Sequence, residues 1–148
     1  MGLKSLVDRE ADALNIATPA GLPDFVAFAA FQPSEQLPRI HAAEWEILGP
    51  GAVPKRRSEF ARGRGAAHRA LEALGRSGEP VLAGANREPL WPNGVVGSIS
   101  HAAGFGVAIV AGADRTDGVG VDIEKLGDVS ELEDQVLRPE ERAWIGDL

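Results

Sequence analysis

Apolar side chains alternate with small or acidic ones along the segment Gly118–Glu124. Because successive side chains of a strand point to opposite faces, its two valines and its isoleucine share one face. Asp122 and Glu124 share the other face with Gly120, which leaves open space beside the two carboxylates. The pattern therefore predicts a strand over Val119–Glu124 that buries one face and presents two acids on the other.

Two neighbouring carboxylates repel each other unless a cation lies between them. Hard oxygen ligands of this kind suit Mg²⁺, which commonly takes one or two carboxylates and fills its other positions with water and substrate phosphates. Asp122 and Glu124 are thus candidate ligands of a metal–phosphate site. The alternative is an exposed strand face whose charges only discourage aggregation.

Composition narrows the function classes. The 148 residues carry a net charge of -7, which disfavours nucleic-acid binding because that needs a basic surface. The chain has no cysteine, so disulfides and thiol chemistry are excluded. No apolar run reaches the length of about 18 residues that a membrane span needs, and Met1–Glu10 lacks the apolar core of a secretory signal. We therefore expect a cytoplasmic protein with no membrane partner.

Periodicity and breakers predict a series of short elements before the acidic strand. The apolar run Phe25–Phe31 indicates a buried strand, and His41–Leu48 and Lys55–Leu74 indicate helices. The runs Val95–Ser100 and Phe105–Ala111 indicate a hairpin. Further expectations are a short strand at Val81–Leu82 and a helix that begins near Leu137 and contains Trp144.

Basic side chains cluster on the predicted helix Lys55–Leu74. Arg57 and Arg64 are nearly two turns apart and share a stripe, and His68 lies one turn beyond Arg64. Guanidinium forks grip phosphate oxygens, and a helix N-terminus favours anions, so the helix is a candidate site for a polyphosphorylated ligand. The alternative is a solvated face paired with acids of the same helix, Glu59 and Glu72.

Two glycines, Gly63 and Gly65, interrupt this helix near its middle. Each costs a helix about 1 kcal/mol relative to alanine. We therefore expect another backbone or a ligand to approach the helix closely there.

The segment Gly97–His101 contains two hydroxyls and a histidine. Adjacent strand residues point to opposite faces, so Ser100 and His101 do not form a nucleophile–base pair. They are candidate hydrogen-bond donors to a phosphate. The alternative is a structural histidine at a turn.

Four motifs occur in a familiar order: Lys55–Arg64, Arg87–Pro92, Gly97–His101 and Gly118–Glu124. In this order they resemble the 4′-phosphopantetheinyl transferases, most closely the monomeric surfactin- and enterobactin-type group. The resemblance covers roughly residues 20–145.

The resemblance implies an α+β fold built from two pseudo-symmetric halves, with coenzyme A and Mg²⁺ bound between them. Here it implies one complete half, residues 1–113 with the coenzyme A phosphate-binding helix, and the incomplete start of a second, residues 114–148. It also implies a holo-[acyl-carrier-protein] synthase type of reaction in secondary-metabolite biosynthesis. Phosphopantetheine would pass from coenzyme A to a serine of an acyl or peptidyl carrier protein.

Roles for individual residues follow by motif only. The implied metal ligands are Asp122 and Glu124, and the implied catalytic residues are these two and His101. The residues implied to contact coenzyme A are Arg56, Arg64, Arg87, Ser100 and His101.

The family pattern also includes a later Trp-x-x-Lys-Glu segment, whose glutamate is a third metal ligand and the base for the carrier serine. Here Trp144 is followed by Ile145–Leu148, which does not match. Three hypotheses follow: a truncated transferase, a short homologue that binds coenzyme A without full activity, or a protein that completes its site with a second subunit. An unrelated α+β domain with merely structural carboxylates is the remaining alternative.

Overall fold

The computed structural model describes Ile16 and residues 18–124. The predicted helix near Leu137, Trp144 and most of the proposed second half lie outside the described residues. Mixed α and β structure fills the described part of the chain.

The elements predicted for the described residues occur in the expected order, and the structure adds a short strand at Pro89–Leu90. The bounds are β1 Val26–Phe31, α1 Ala42–Leu48, α2 Pro54–Ala73, β2 Leu82–Ala83, β3 Pro89–Leu90, β4 Val95–Ala102 and β5 Phe105–Gly112. Both predicted helices, the first strand and the hairpin are confirmed. The short strand begins one residue later than expected.

Three strands form an antiparallel sheet in the order β1-β5-β4, and β2 pairs with β3 in a separate ribbon. The β4–β5 hairpin turns at Ala103 and Gly104, whose φ angles are 51° and 84°. Positive φ at both central residues matches the right-handed twist of the strands. The turn fixes the register in which Ile99 lies opposite Ala108 and Ser100 lies opposite Val107.

Helix α2 covers one face of the sheet and makes the core with it. The buried core residues that share this contact include Ala27, Phe31, Ala66, Ala67, Ala70, Leu71, Ala108 and Val110. Three of the four helix residues in this cluster are alanines, so the backbones come close together. Neither helix in the described residues is long and apolar enough to cross a bilayer.

Helix and sheet approach each other closely at Gly106 of β5. A Cβ on Gly106 would lie 2.3 Å from the backbone carbon of Arg62 and 2.6 Å from the nitrogen of Gly63. A Cβ on Gly63 would lie 3.1 Å from Ile99 Cγ2, and one on Gly65 would lie 2.5 Å from Pro38 Cγ. The expected approach of another backbone is therefore confirmed at Gly63, whereas the close neighbours of Gly65 are side chains.

The predicted strand Val119–Glu124 is wrong as a strand, because the structure assigns no regular secondary structure to it. The predicted alternation is confirmed, since its valines and isoleucine are half-buried while Asp122 and Glu124 are exposed. The segment is held by side chains rather than by a backbone ladder. Ser98 Oγ donates to the carbonyl of Val121 at 3.4 Å.

This segment lies on the sheet face opposite α2. Ile99 contacts the helix at Gly63, and strand side chains alternate, so Ser98 and Ser100 point away from the helix. Because both serines reach residues of the segment, it runs across that outer face.

Candidate functional site

Two of the arginines predicted to contact coenzyme A, Arg56 and Arg87, line one cavity of about 280 Å³. The rest of the wall comes from the end of α1 and the loop after it, through Ile47, Leu48, Gly51 and Ala52. Both arginines are exposed. Their guanidinium groups are therefore available to an anion that enters the cavity.

The cavity opens beside the N-terminus of α2, where the helix dipole favours negative charge. The residue that caps this end, Val53, makes no side-chain hydrogen bond to the helix, and the first turn holds no acid. It holds Lys55, Arg56 and Arg57 instead. Cations at this end oppose the dipole, so the arrangement favours an anionic ligand.

Arg87 reaches the cavity from the turn between β2 and β3. Its φ is 63°, in the left-handed region that residues with a side chain rarely adopt. The turn is closed by hydrogen bonds from Gly84 N to the Glu88 carbonyl at 2.8 Å and from Arg87 N to the Gly84 carbonyl at 3.0 Å. Backbone of this kind persists only where its surroundings fix it.

A second group of predicted residues meets on the outer face of the sheet. Ser100 Oγ donates to Asp122 Oδ1 at 3.1 Å and accepts a hydrogen bond from Ile123 N at 3.2 Å. Asp122 and Glu124 are both exposed on the side of the segment that faces solvent. Two carboxylates held with free oxygens are a donor set that fits Mg²⁺.

His101 lies at the end of β4, opposite Gly106, and is exposed. It points to the helix side of the sheet, because Ser100 next to it points to the outer side. The prediction that the two residues do not face each other is therefore confirmed. The described contacts join Ser100 to Asp122, and Arg56 to Arg87 through their cavity, but they do not join His101 to either group.

Comparison with known proteins shows what this part of the chain is similar to. Residues 45–111 match the sequence model of the 4′-phosphopantetheinyl transferase N-terminal domain. Over these residues the chain is similar to the 4′-phosphopantetheinyl transferase family. The matched range contains α2, the β2–β3 turn and nearly all of the hairpin.

Three relatives with assigned functions agree with this family. The 4′-phosphopantetheinyl transferase Svp of Streptomyces mobaraensis is 45% identical over 66% of this chain and 40% of its own length. The 4′-phosphopantetheinyl transferase Npt of Nocardia iowensis is 39% identical over 72% of this chain and 48% of its own length. Enterobactin synthase component D of Salmonella typhi is 40% identical over 60% of this chain and 37% of its own length. The chain thus spans less than half the length of each of these relatives.

The buried ionic centre of this domain was not predicted from the sequence. It is formed around Glu44, whose exposed fraction is 0%. His68 Nε2 donates to both carboxylate oxygens at 2.9 Å, and the backbone nitrogens of His41 and Val81 donate at 2.9 and 3.1 Å. Glu44 therefore links α1 and α2 to the loop residue that precedes β2.

Charge on Glu44 is maintained despite its burial. Burial raises the pKa of this carboxyl, but the hydrogen bonds from His68, His41 and Val81 together outweigh it, so the net pKa is held below its ordinary value. The only sequence signal was its place three residues after His41, at the start of a helix, where a glutamate often reaches back to a backbone N–H.

Arg64 faces this carboxylate rather than solvent. Its Nε lies 3.9 Å from Glu44 Oε2, its side chain is 8% exposed, and its guanidinium stacks 4.7 Å from the centre of the Phe60 ring. Burial lowers the pKa of Arg64, and the charge of Glu44 opposes this shift. Contact of Arg64 with coenzyme A stays a prediction, because the described contacts assign this arginine to the ionic centre.

His41, Glu44 and His68 offer three potential metal-ligand atoms within 4.8 Å of one another. Two imidazoles and a carboxylate are a donor set suited to Zn²⁺. However, both Glu44 oxygens already accept two hydrogen bonds each. With the Arg64 cation alongside as well, we assign the cluster a structural role.

Proposed function

We propose that this chain binds coenzyme A and serves the transfer of 4′-phosphopantetheine to a serine of an acyl or peptidyl carrier protein. In that reaction the serine hydroxyl attacks the β-phosphate of coenzyme A. The bond from this phosphorus to the bridging oxygen breaks, and 3′,5′-ADP leaves. The serine gives up its proton and gains the phosphopantetheine group.

The observation that carries this proposal is the pair of exposed arginines across one cavity at the N-terminus of α2. Coenzyme A presents a pyrophosphate and a further phosphate, and guanidinium groups bind such oxygens in pairs. Arg56 and Arg87 supply two cations there, and the helix end adds a favourable dipole. The match of residues 45–111 to the 4′-phosphopantetheinyl transferase N-terminal domain supports coenzyme A as the anion.

Asp122 and Glu124 would hold Mg²⁺, which in the bound state would neutralise charge on the pyrophosphate. Ser100 orients Asp122 through its hydroxyl and ties the same segment through Ile123 N. The proposal includes the second pseudo-symmetric half, with a boundary near residue 113, and a role for His101 at a coenzyme A phosphate. A cytoplasmic location and a role in secondary-metabolite biosynthesis belong to the same proposal.

The arginine pair is tested by single replacements. Arg56→Ala and Arg87→Ala should each weaken coenzyme A binding by about tenfold to a hundredfold, because each removes a charge-assisted contact of about 1.5–3 kcal/mol. Calorimetric titration measures the change. Arg39→Ala is the matched control, since Arg39 is exposed and lies outside the cavity wall. Equal affinities in all three variants would refute this assignment of the cavity.

The metal ligands are tested separately. Asp122→Ala should remove the dependence of coenzyme A affinity on Mg²⁺, because one of two charged ligands is lost. Titrations with and without Mg²⁺ give the comparison. Asp117→Ala removes another exposed acid and should leave the dependence intact. A full Mg²⁺ effect in the Asp122 variant would show that the metal binds elsewhere.

A further inference from the structure

We propose that Glu88 is a positioning residue that holds Arg87 in the left-handed conformation and so directs it into the cavity shared with Arg56. The inference rests on the proposed function, because it assigns Glu88 a part in binding coenzyme A. Glu88 does not line this cavity and is not proposed to touch the ligand.

The side chain of Glu88 folds back over its own turn. Its Oε2 accepts a hydrogen bond from Asn86 N at 2.9 Å. Its backbone carbonyl accepts one from Gly84 N at 2.8 Å. Glu88 thus holds the turn at Gly84 and at Asn86, and Arg87 lies in the chain between Asn86 and Glu88.

Gly84 provides the space that this fold requires. A Cβ on Gly84 would meet Glu88 Oε1 at 2.0 Å and its carboxyl carbon at 2.4 Å. The carboxylate therefore occupies the volume that any other residue at position 84 would fill. We call this arrangement the clamp: the Glu88 carboxylate lies in the space beside Gly84 and accepts the hydrogen bond from Asn86 N.

The clamp offsets the strain at Arg87. Sparsely populated backbone conformations cost about 1–3 kcal/mol and persist only when neighbouring contacts enforce them. Without the contact from Glu88 Oε2 to Asn86 N, Arg87 can relax to negative φ, which turns its side chain to a different direction. Residues 85–88 are exposed, so packing against other parts of the described structure does not hold Arg87 in this conformation.

The direction in which coenzyme A affinity changes when Glu88 is replaced distinguishes the clamp from a purely electrostatic effect. Removal of a carboxylate near an anion site should strengthen anion binding by Coulomb's law alone. The clamp predicts the opposite, a loss of about tenfold in coenzyme A affinity for Glu88→Ala. Glu88→Gln keeps an oxygen acceptor for Asn86 N and should restore most of the affinity. Glu79→Ala removes another exposed acid and is the matched control.

A double-mutant cycle tests whether Glu88 acts through Arg87. In the Arg87→Ala background, Glu88→Ala should cost no further affinity, because no guanidinium remains to be positioned. Gly84→Ala should reproduce the loss seen in Glu88→Ala, and the two should not add. Additive losses from Glu88 and Arg87 would overturn the inference, as would unchanged or tighter binding in Glu88→Ala.

Amide hydrogen exchange tests the clamp without any ligand. The Asn86 and Arg87 amides should exchange about tenfold faster in Glu88→Ala than in the unaltered chain, and Glu88→Gln should stay close to the unaltered chain. Equal exchange in all three would refute the clamp even if coenzyme A binds. Failure of the unaltered chain to bind coenzyme A would refute the proposed function, and with it the part assigned to Glu88. Binding that Glu88→Ala leaves unchanged would refute that part alone.

Discussion

Glu44→Ala is expected to lower the free energy of unfolding by about 3–5 kcal/mol, the usual result of removing one partner from a buried ion pair. The substitution leaves the Arg64 cation buried without a counter-charge. It also leaves the buried Val81 N–H without its acceptor and frees His68 from α1. Denaturant unfolding at neutral pH measures the loss.

The control for this variant is Glu46→Ala on the same helix. Glu46 is exposed, so its removal should change stability by less than about 0.5 kcal/mol. A loss in Glu44→Ala no larger than that of Glu46→Ala would contradict the role of the ionic centre.

The pH dependence of this loss has a definite sign. Because the pKa of Glu44 is lowered in the folded state, its stabilisation is complete above the ordinary value of 4.5 and disappears as pH falls through the folded pKa. The difference in free energy of unfolding between the unaltered chain and Glu44→Ala should therefore become smaller only at acidic pH. A gap that widens as pH falls would contradict the assigned charge state.

Gly106→Ala is expected to destabilise the domain by about 3 kcal/mol, at the upper end of the cost of overpacking a core. The added methyl would lie 2.4 Å from the Arg62 carbonyl oxygen. At this point the backbone of the strand faces the backbone of the helix. No flexible side chain can move to make room. The helix must therefore shift away from the sheet, which opens the alanine-rich core. Thermal unfolding measures the change.

Gly51→Ala is the matched control for the glycine replacement. A Cβ on Gly51 meets nothing within 4 Å, and its φ is not positive, so alanine fits there without strain. Equal melting temperatures for the two variants would show that α2 and β5 are not as closely packed as the structure has them.

Local patterns in the sequence predicted most of the fold that positions the site. The 3.6-residue period located α2, two apolar runs separated by a short loop located the hairpin, and Gly63 and Gly65 marked the close approach of the sheet to the helix. Alternation also predicted which side chains of Val119–Glu124 face solvent. It could not predict that serine side chains, rather than a backbone ladder, hold this segment.

The division of the basic residues depended on tertiary contacts that the sequence does not reveal. Arg56 and Arg64 belong to the same predicted phosphate-binding helix, yet the first is exposed at a cavity and the second is buried against Glu44. Glu44 comes from a different helix and Val81 from a loop, so no spacing rule could join them to Arg64. Arg87 lies in a loop, so its position relative to Arg56 could not be predicted from sequence spacing. The left-handed turn places it at the same cavity as Arg56.

Calorimetric titration of the unaltered chain with coenzyme A, with and without Mg²⁺, is the most direct test of the proposed function. An apo carrier protein incubated with both is then weighed by mass spectrometry. We expect coenzyme A to bind and Mg²⁺ to tighten the binding. A gain of one phosphopantetheine by the carrier would establish that this chain alone suffices for transfer. No binding of coenzyme A under either condition would contradict the proposal that the Arg56–Arg87 cavity is its site.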